Sequence, residues 1–394
     1  MIGGEEMAHI KKLYDQDNKI KGYKAFVEVG KDPATGKRKR QTKVFKRKKD
    51  ADKWLINKVN SIQNGSYVNP SQITLGDFIL NRWLENHKKP KVTITTYDRY
   101  KSLINAHIIP ALGEIPIQEL QPFHIEHYFS QKRKKGIRNK KGLSENSLKR
   151  HYVLLNNALK RAVKLKLIKY NPMQAIESPK PEKYEAPVMK ENEYNKLLES
   201  LKEDTFMYTF VMTLISTGMR RSEILGLEWN DIDLKQGTIF IRKRLITITG
   251  GIKHEHKTKN ESSKRLIKIP KALIPIIKSY KIKQKENKLF FGTDYYKEKD
   301  YVFCKPDGYP YNPQTLNVKF NIVLRKINLP QKFTLHTLRH TFATINLRNG
   351  VPAKVVQEML GHSTITTTLD LYTHVDLDMQ EEAAEKLQNT IKFE

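Results

Sequence analysis

The chain has 394 residues, enough for two or three domains, and its 72 lysines and arginines against 42 acidic residues leave a net charge of +30 at pH 7. So large a surplus repels itself unless a polyanion neutralises it, which makes nucleic acid the first expected partner. A membrane role is not expected, because no apolar run could span a bilayer and no secretory or lipidation signal is present; the one cysteine, Cys304, rules out an internal disulfide and suits a reducing cytoplasm.

From His9 to Asn64, "HIKKLYDQDNK", "GYKAFVEV" and "KRQTKVF" predict three short strands, with turns at "DQDNK" and "DPATGK". A helix follows in "KKDADKWLINKVNSI", where Trp54, Leu55, Val59 and Ile62 recur at helical spacing and face the sheet. Lys37, Arg38, Lys39, Arg40, Lys43, Lys46 and Arg47 crowd the third strand and its turns, a basic surface of the kind that lies in a DNA groove. "NGSYVNPSQ" reads as a polar linker.

The next segment is helical in pattern. "TLGDFILNRWLENHK" places Leu75, Phe78, Ile79 and Trp83 on one face, and "TYDRYKSLINAHIIPALG", "QPFHIEHYFSQKRKK" and "SENSLKRHYVLLNNALKRAVKLKLI" predict three further helices, the last capped by Ser144. Lys140, Lys149 and Arg150 are its candidate DNA contacts. "NPMQAIESPKPEKYEAP", with four prolines, reads as a second linker. The remainder is mixed: helices in "KENEYNKLLESL", "FMYTFVMTLIS" and "RRSEILGL", strands from "GTIFIRKRLITIT" to "SKRLIKIP", then more helices. "KHEHKTKNESSKRLIKIP" reads as a hairpin with Lys257 and Lys259 near its tip. The expected fold is therefore multidomain, mainly α with small β-sheets, with boundaries at 8–66, 72–180 and 181–394.

Polar residues recur in the third segment where an apolar helix would not need them. Arg220 and Arg221 follow Gly218 in "STGMRRSEILGL". His336 and Arg339 stand three apart, on one helix face, in "HTLRHTFAT"; His340 reads more simply as a core histidine. "LGHSTITTTLDLYTHV" holds His362, Tyr372 and His374. Glu223, three residues after Arg220, reads as a residue that orients its helix.

These three boxes and the lysine hairpin before "RLIKIP", in their order along the chain and at these internal spacings, resemble the tyrosine recombinases, the integrase family of phages and conjugative transposons. The resemblance covers nearly the whole chain. It implies a three-stranded arm-binding domain, a helical SAM-like core-binding domain and a mixed α/β catalytic domain. It implies that Tyr372 is the nucleophile, that Arg220 and Arg339 hold the scissile phosphate, that His336 assists proton transfer, and that His362 donates a hydrogen bond to the phosphate. The hairpin lysine, a general acid, is Lys257, with Lys259 two residues away as the alternative. The implied activity cuts and rejoins DNA through a 3′-phosphotyrosine and a Holliday junction, integrating and excising a mobile element. No cofactor and no metal are expected, since the sequence offers no acidic cluster of the two-magnesium kind. The implied partners are double-stranded DNA at core and arm attachment sites, three further copies in a tetramer, an excisionase and a host DNA-bending protein, in the cytoplasm of a bacterial host. A catalytically silent DNA-binding regulator and a type IB topoisomerase-like strand passer are the alternatives.

Overall fold

A computed structural model describes residues 8–31, 36–64, 67–68, 71–136, 141–182, 186–248, 251–255 and 264–369, with Ala384 and Gln388. Lys140, Lys257, Lys259, Tyr372 and His374 lie outside the described residues, as does nearly all of the chain beyond Leu369. The chain divides into two compact units, Met1–Glu182 and Lys183–Glu394.

The first unit opens with an antiparallel meander of β1 (Ala8–Tyr14), β2 (Ile20–Lys31) and β3 (Arg38–Phe45), followed by α1 (Lys48–Gln63). Period-two alternation turns Ala25 and Val27 inward, where Ala51 of α1 is also buried and Phe45 meets Trp54 at 5.9 Å between ring centroids. The opposite face collects residues that register places side by side: His9 beside Phe26, Lys11 beside Lys24, Phe26 beside Thr42, and Glu28 beside Arg40. His9 stacks on Phe26 at 4.6 Å, and the ammonium groups of Lys11 and Lys24 lie over the same ring at 5.8 and 5.4 Å. The basic run therefore does not make one face. Arg40 and Arg38 lie on this outward side, where Arg38 pairs with Glu28 at 3.3 Å, while Lys43 alternates to the helix side, over Phe45 at 5.5 Å.

Four helical stretches follow, as their periodicity predicts. α2 (Leu75–Asp77) runs on into a wider π-helical coil over Phe78–Lys88. α3 (Ile94–Leu103) continues through Ile104–Ile108 into α4 (Ile109–Leu112). α5 (Pro122–Lys134) and α6 (Glu145–Lys164) complete the set. Leu75, Phe78, Ile79 and Trp83 are all buried, and Ser144 caps α6 by accepting from the Ser147 N–H at 3.4 Å. Three polar rings share this core: Tyr128 Oη lies 2.6 Å from His151 Nδ1, and the His107 and His151 rings are 4.8 Å apart. Burial, with the neighbouring His107 next, pushes the His151 pKa down to about 4.

One linker expectation needs correction. "NPMQAIESPKPEKYEAP" does not begin as a tether, because Pro172 and Met173 are buried and Ile176 joins the same core. Asn171 caps a short 3-10 turn, Pro172–Ala175, its Oδ1 accepting from Met173 N–H at 3.1 Å and its Nδ2 donating to Asn156 Oδ1 at 2.7 Å. Proline fits the first position of such a turn, so its count alone cannot separate a tether from a capped, packed turn.

The second unit contains α7 (Glu191–Ser200), α8 (Thr205–Thr217) and the one-turn α9 (Arg221–Ile224). The strands β4 (Ile232–Asp233), β5 (Thr238–Ile241), β6 (Arg244–Ile248), β7 (Gly251–Glu255) and β8 (Arg265–Lys268) come next. They are followed by α10 (Leu273–Phe291), α11 (Pro313–Lys326), α12 (Leu335–Arg348), α13 (Ala353–Leu360) and α14 (Thr366–Leu369). Its core is apolar and continuous through Phe210, Leu214, Ile239, Ile267, Phe303, Phe320 and Leu338. Here too a pairing differs from expectation. Among the described residues β7 pairs with β6 and β8 with β5, so the strands flanking residues 256–263 are not each other's partners. No helix among the described residues is long and apolar enough to cross a membrane.

Candidate active site

The second unit gathers its polar side chains where three helix ends meet. α8 is apolar and stops because Gly218 takes the left-handed conformation (φ +61°) that ends a helix. Its Cα also faces the Phe342 ring and Leu360, leaving no room for a side chain. α12 starts with a reciprocal cap: Thr334 Oγ1 accepts from Thr337 N–H at 3.3 Å and Thr337 Oγ1 from Thr334 N–H at 2.9 Å. α13 stops at Gly361, again left-handed, with His362 next. Phe342, Ala343, Leu347, Val356 and Leu360 form a small apolar cluster that locks α12 to α13.

Each of these ends holds an arginine or takes one. Arg339 is 2 % exposed, and its guanidinium donates to Gly218 O at 2.6 Å and Leu360 O at 2.7 Å. Arg220 donates to Gly361 O at 3.0 Å. The carbonyls at a helix C-terminus lack partners within the helix and carry the negative end of its dipole, so a guanidinium is the fitting cap. Glu223 fixes the start of α9: its Oε2 accepts the Arg220 backbone N–H at 2.9 Å and its Oε1 the Arg220 guanidinium at 2.7 Å. Burial would raise the Glu223 pKa, but Arg265 and then Arg220 outweigh it and hold the carboxyl at about 2.

Two histidines flank the arginines. His336 is exposed, and its ring meets that of His340 edge-on at 4.6 Å. Desolvation of the ring first, and the charges of Arg339 and Arg220 next, push its pKa down to about 4. His362 is half-buried, its Nδ1 2.9 Å from Thr368 Oγ1 and its backbone carbonyl held by the Gln357 amide at 3.0 Å. Burial, then Arg339 and Arg220, lower its pKa to about 3. Both rings are therefore neutral near pH 7. His340, read from sequence as structural, is partly buried, its Nδ1 has no hydrogen-bond partner among the described residues, and burial lowers its pKa to about 4.

The structure thus brings Arg220, His336, Arg339 and His362 of the expected set to one place, while Lys257 and Tyr372 lie outside the described residues. Of the expected DNA contacts in the first unit, Arg150 is exposed and Lys149 is half-buried, its ammonium bonded to Ser178 Oγ and 5.7 Å from the Tyr152 ring centroid. Lys37, Arg38, Arg40 and Lys43 are exposed. Three residues were not singled out by sequence: Arg265, which donates to Glu223 Oε2 at 2.9 Å, and Lys11 and Lys24 on the outward face of the meander. The last two could have been found by reading which positions of β1 and β2 alternate with β3.

Residues 187–379 match the phage integrase family, and residues 74–132 match the phage integrase N-terminal SAM-like domain. A tyrosine recombinase XerC-like protein of Caldanaerobacter subterraneus subsp. tengcongensis is 30% identical over 391 residues, covering 93% of this chain and 96% of the relative. The ICEBs1 integrase of Bacillus subtilis is 26% identical, covering 94% and 97%. Among solved structures, the Tn1549 transposon integrase in complex with a circular-intermediate DNA superposes with a TM-score of 0.65 at 21% identity, over 80% of this chain and 99% of that one. A lambda integrase tetramer bound to a Holliday junction gives 0.57 at 17% identity, over 90% and 96%. The structural likeness establishes the fold, and the near-full-length relatedness establishes the family: the chain belongs to the tyrosine recombinases, enzymes of site-specific DNA strand breakage and rejoining.

Proposed function

We propose that this recombinase integrates and excises a mobile element by forming a 3′-phosphotyrosine on Tyr372, with Arg220 and Arg339 on the scissile phosphate. The observation that supports this most directly is the reach of Arg220 and Arg339, from separate elements, to adjacent carbonyls at the end of one helix, with His336 and His362 beside them.

The chemistry follows from these groups. Attack of the phenol oxygen on phosphorus places extra charge on the non-bridging oxygens, and two fixed guanidiniums stabilise it without reorganising. A tyrosine keeps its proton up to about pH 10, so a base must take it during attack. A neutral His336 can accept that proton. His362 Nδ1 and the Thr368 hydroxyl share a hydrogen bond of 2.9 Å; in the tautomer where the hydroxyl donates, the ring proton is on Nε2 and is offered to a phosphate oxygen. The hairpin lysine, Lys257 or Lys259, protonates the leaving 5′-oxygen. The phosphotyrosine conserves the energy of the broken bond, so the 5′-hydroxyl of another strand restores the backbone with no external energy source.

In this reading residues 8–66 hold arm-type DNA through the outward face of the meander, residues 72–180 hold the core site, and residues 181–394 perform the chemistry. Four copies act on two duplexes in the cytoplasm, assisted by an excisionase and a host DNA-bending protein. The test is to incubate labelled DNA spanning the junctions of the element that carries this gene with the full chain and resolve the products in SDS. Wild type should give a covalent protein–DNA band and Tyr372→Phe none, at nearly unchanged DNA affinity, because affinity comes from phosphate contacts over the whole footprint. A band of equal intensity with the phenylalanine variant refutes the assignment.

A further inference from the structure

Arg265 is buried, with 7 % of its side chain exposed, on a strand that carries none of the expected catalytic residues. Its Nε donates to Met359 O at 2.7 Å, and its two terminal nitrogens reach Glu223, to Oε2 at 2.9 Å and Oε1 at 3.4 Å. Glu223 is in turn the carboxylate that holds both the backbone N–H and the guanidinium of Arg220. Three consecutive carbonyls at the end of α13 are thus each taken by a different arginine: Met359 by Arg265, Leu360 by Arg339 and Gly361 by Arg220. Arg265 also packs under Gly361, where any side chain would meet its guanidinium at 2.9 Å. Two of these arginines have an expected role on the phosphate, and the third has none.

We infer that Arg265 is a positioning residue for strand cleavage, holding Glu223 and the end of α13 so that the Arg220 guanidinium stands in the geometry that receives the phosphate. This rests on the recombinase reading above. The physical reason is competition for one carboxylate. Shared between two guanidiniums, Glu223 holds Arg220 at one oxygen and leaves its other terminal nitrogen on Gly361 O. Without Arg265, a buried carboxylate whose one remaining guanidinium partner among the described residues is Arg220 would draw Arg220 fully onto itself and away from the helix end. Lysine has no fork and cannot span both Glu223 and Met359 O.

The experiment is a kinetic cycle on the full chain with a DNA substrate whose cleavage cannot be reversed, measured in single turnover at saturating protein. Arg265→Gln should slow covalent-adduct formation by about 10-fold or more while the Kd for DNA changes by less than about 3-fold, the signature of misplacement at the reacting centre. In an Arg220→Ala background the same change should cost less than about 3-fold, because the group that Arg265 positions is gone. Should Arg265→Gln melt before the assay temperature, Arg265→Lys, which keeps a charge opposite Glu223 but cannot also hold Met359 O, carries the same cycle through the loosened end of α13. A wild-type rate in the folded variant, or a full multiplicative loss on top of Arg220→Ala, overturns the inference. No adduct from the wild-type chain would instead overturn the recombinase reading, which keeps the two failures apart.

Discussion

Gly218→Ala tests whether the site depends on a helix end that accepts no side chain. A residue with a Cβ in the left-handed region costs about 1–2 kcal/mol. The added methyl would also stand 2.4 Å from Phe342 Cδ1 and 2.7 Å from Leu360 Cδ2, both in buried side chains that pin α12 to α13. Overpacking of this kind costs about 1–3 kcal/mol, so the sum is about 2–5 kcal/mol, a large share of the roughly 5–15 kcal/mol that holds a domain folded. Gly350 supplies the comparison, since it is also left-handed (φ +77°) but has no atom of the described residues within 4 Å of the position a Cβ would take. Gly350→Ala should therefore cost only the backbone part, about 1–2 kcal/mol. Urea unfolding followed through Trp229, buried in the second unit, separates the two. Equal losses for both variants would refute the packing argument. Because Gly218 O is also an anchor of Arg339, cleavage by Gly218→Ala should fall further than the loss of folded protein accounts for.

Arg220→Ala and Arg339→Ala should each slow single-turnover cleavage by about 10²-fold or more, with lysine restoring only part, and a wild-type rate in either would exclude a shared phosphate clamp. The His151 pKa, lowered by burial to about 4 from 6.5, means that the unfolded chain binds more protons between those values. The stability it contributes is complete above about pH 6.5 and lost as pH falls towards 4, roughly 2 kcal/mol between pH 7 and 5. Urea midpoints for the first unit should show that slope in wild type and a shallower one in His151→Phe. Neutralising Lys24 and Arg40 together should lower the salt slope of binding to arm-type DNA by about 2, and an unchanged slope would remove the meander's outward face from the DNA contact.

Much of the fold was legible because it is periodic. The stripe Leu75, Phe78, Ile79 and Trp83, the Ser144 cap and the alternation of β2 follow from local spacing, and the structure keeps them. What the sequence hid is tertiary. Nothing near residue 265 signals that Arg265 meets Met359, 94 positions away, or that β8 pairs with β5 rather than with β7. Turn residues mark where a strand ends, and they do not name its partner. The prolines after Asn171 misled for a related reason, since composition registers a turn but not whether it is packed. At the candidate site, Arg220, Arg339, His336 and His362 were singled out by boxes that resemble a family, and the structure brings these four together. The glycine carbonyls that hold the two arginines were not singled out, because a backbone acceptor leaves no signature in the sequence.

The most direct test of the account is to identify the residue joined to DNA. The full chain is incubated with an irreversibly cleaved attachment-site substrate, the adduct is digested with nuclease and protease, and the modified peptide is sequenced by mass spectrometry. The account predicts one adduct, a 3′-phosphate ester on the Tyr372 side chain, formed at least about 10²-fold more slowly when Arg220 or Arg339 is alanine. An adduct on another residue, a 5′ linkage, or cleavage with no adduct at all would contradict it.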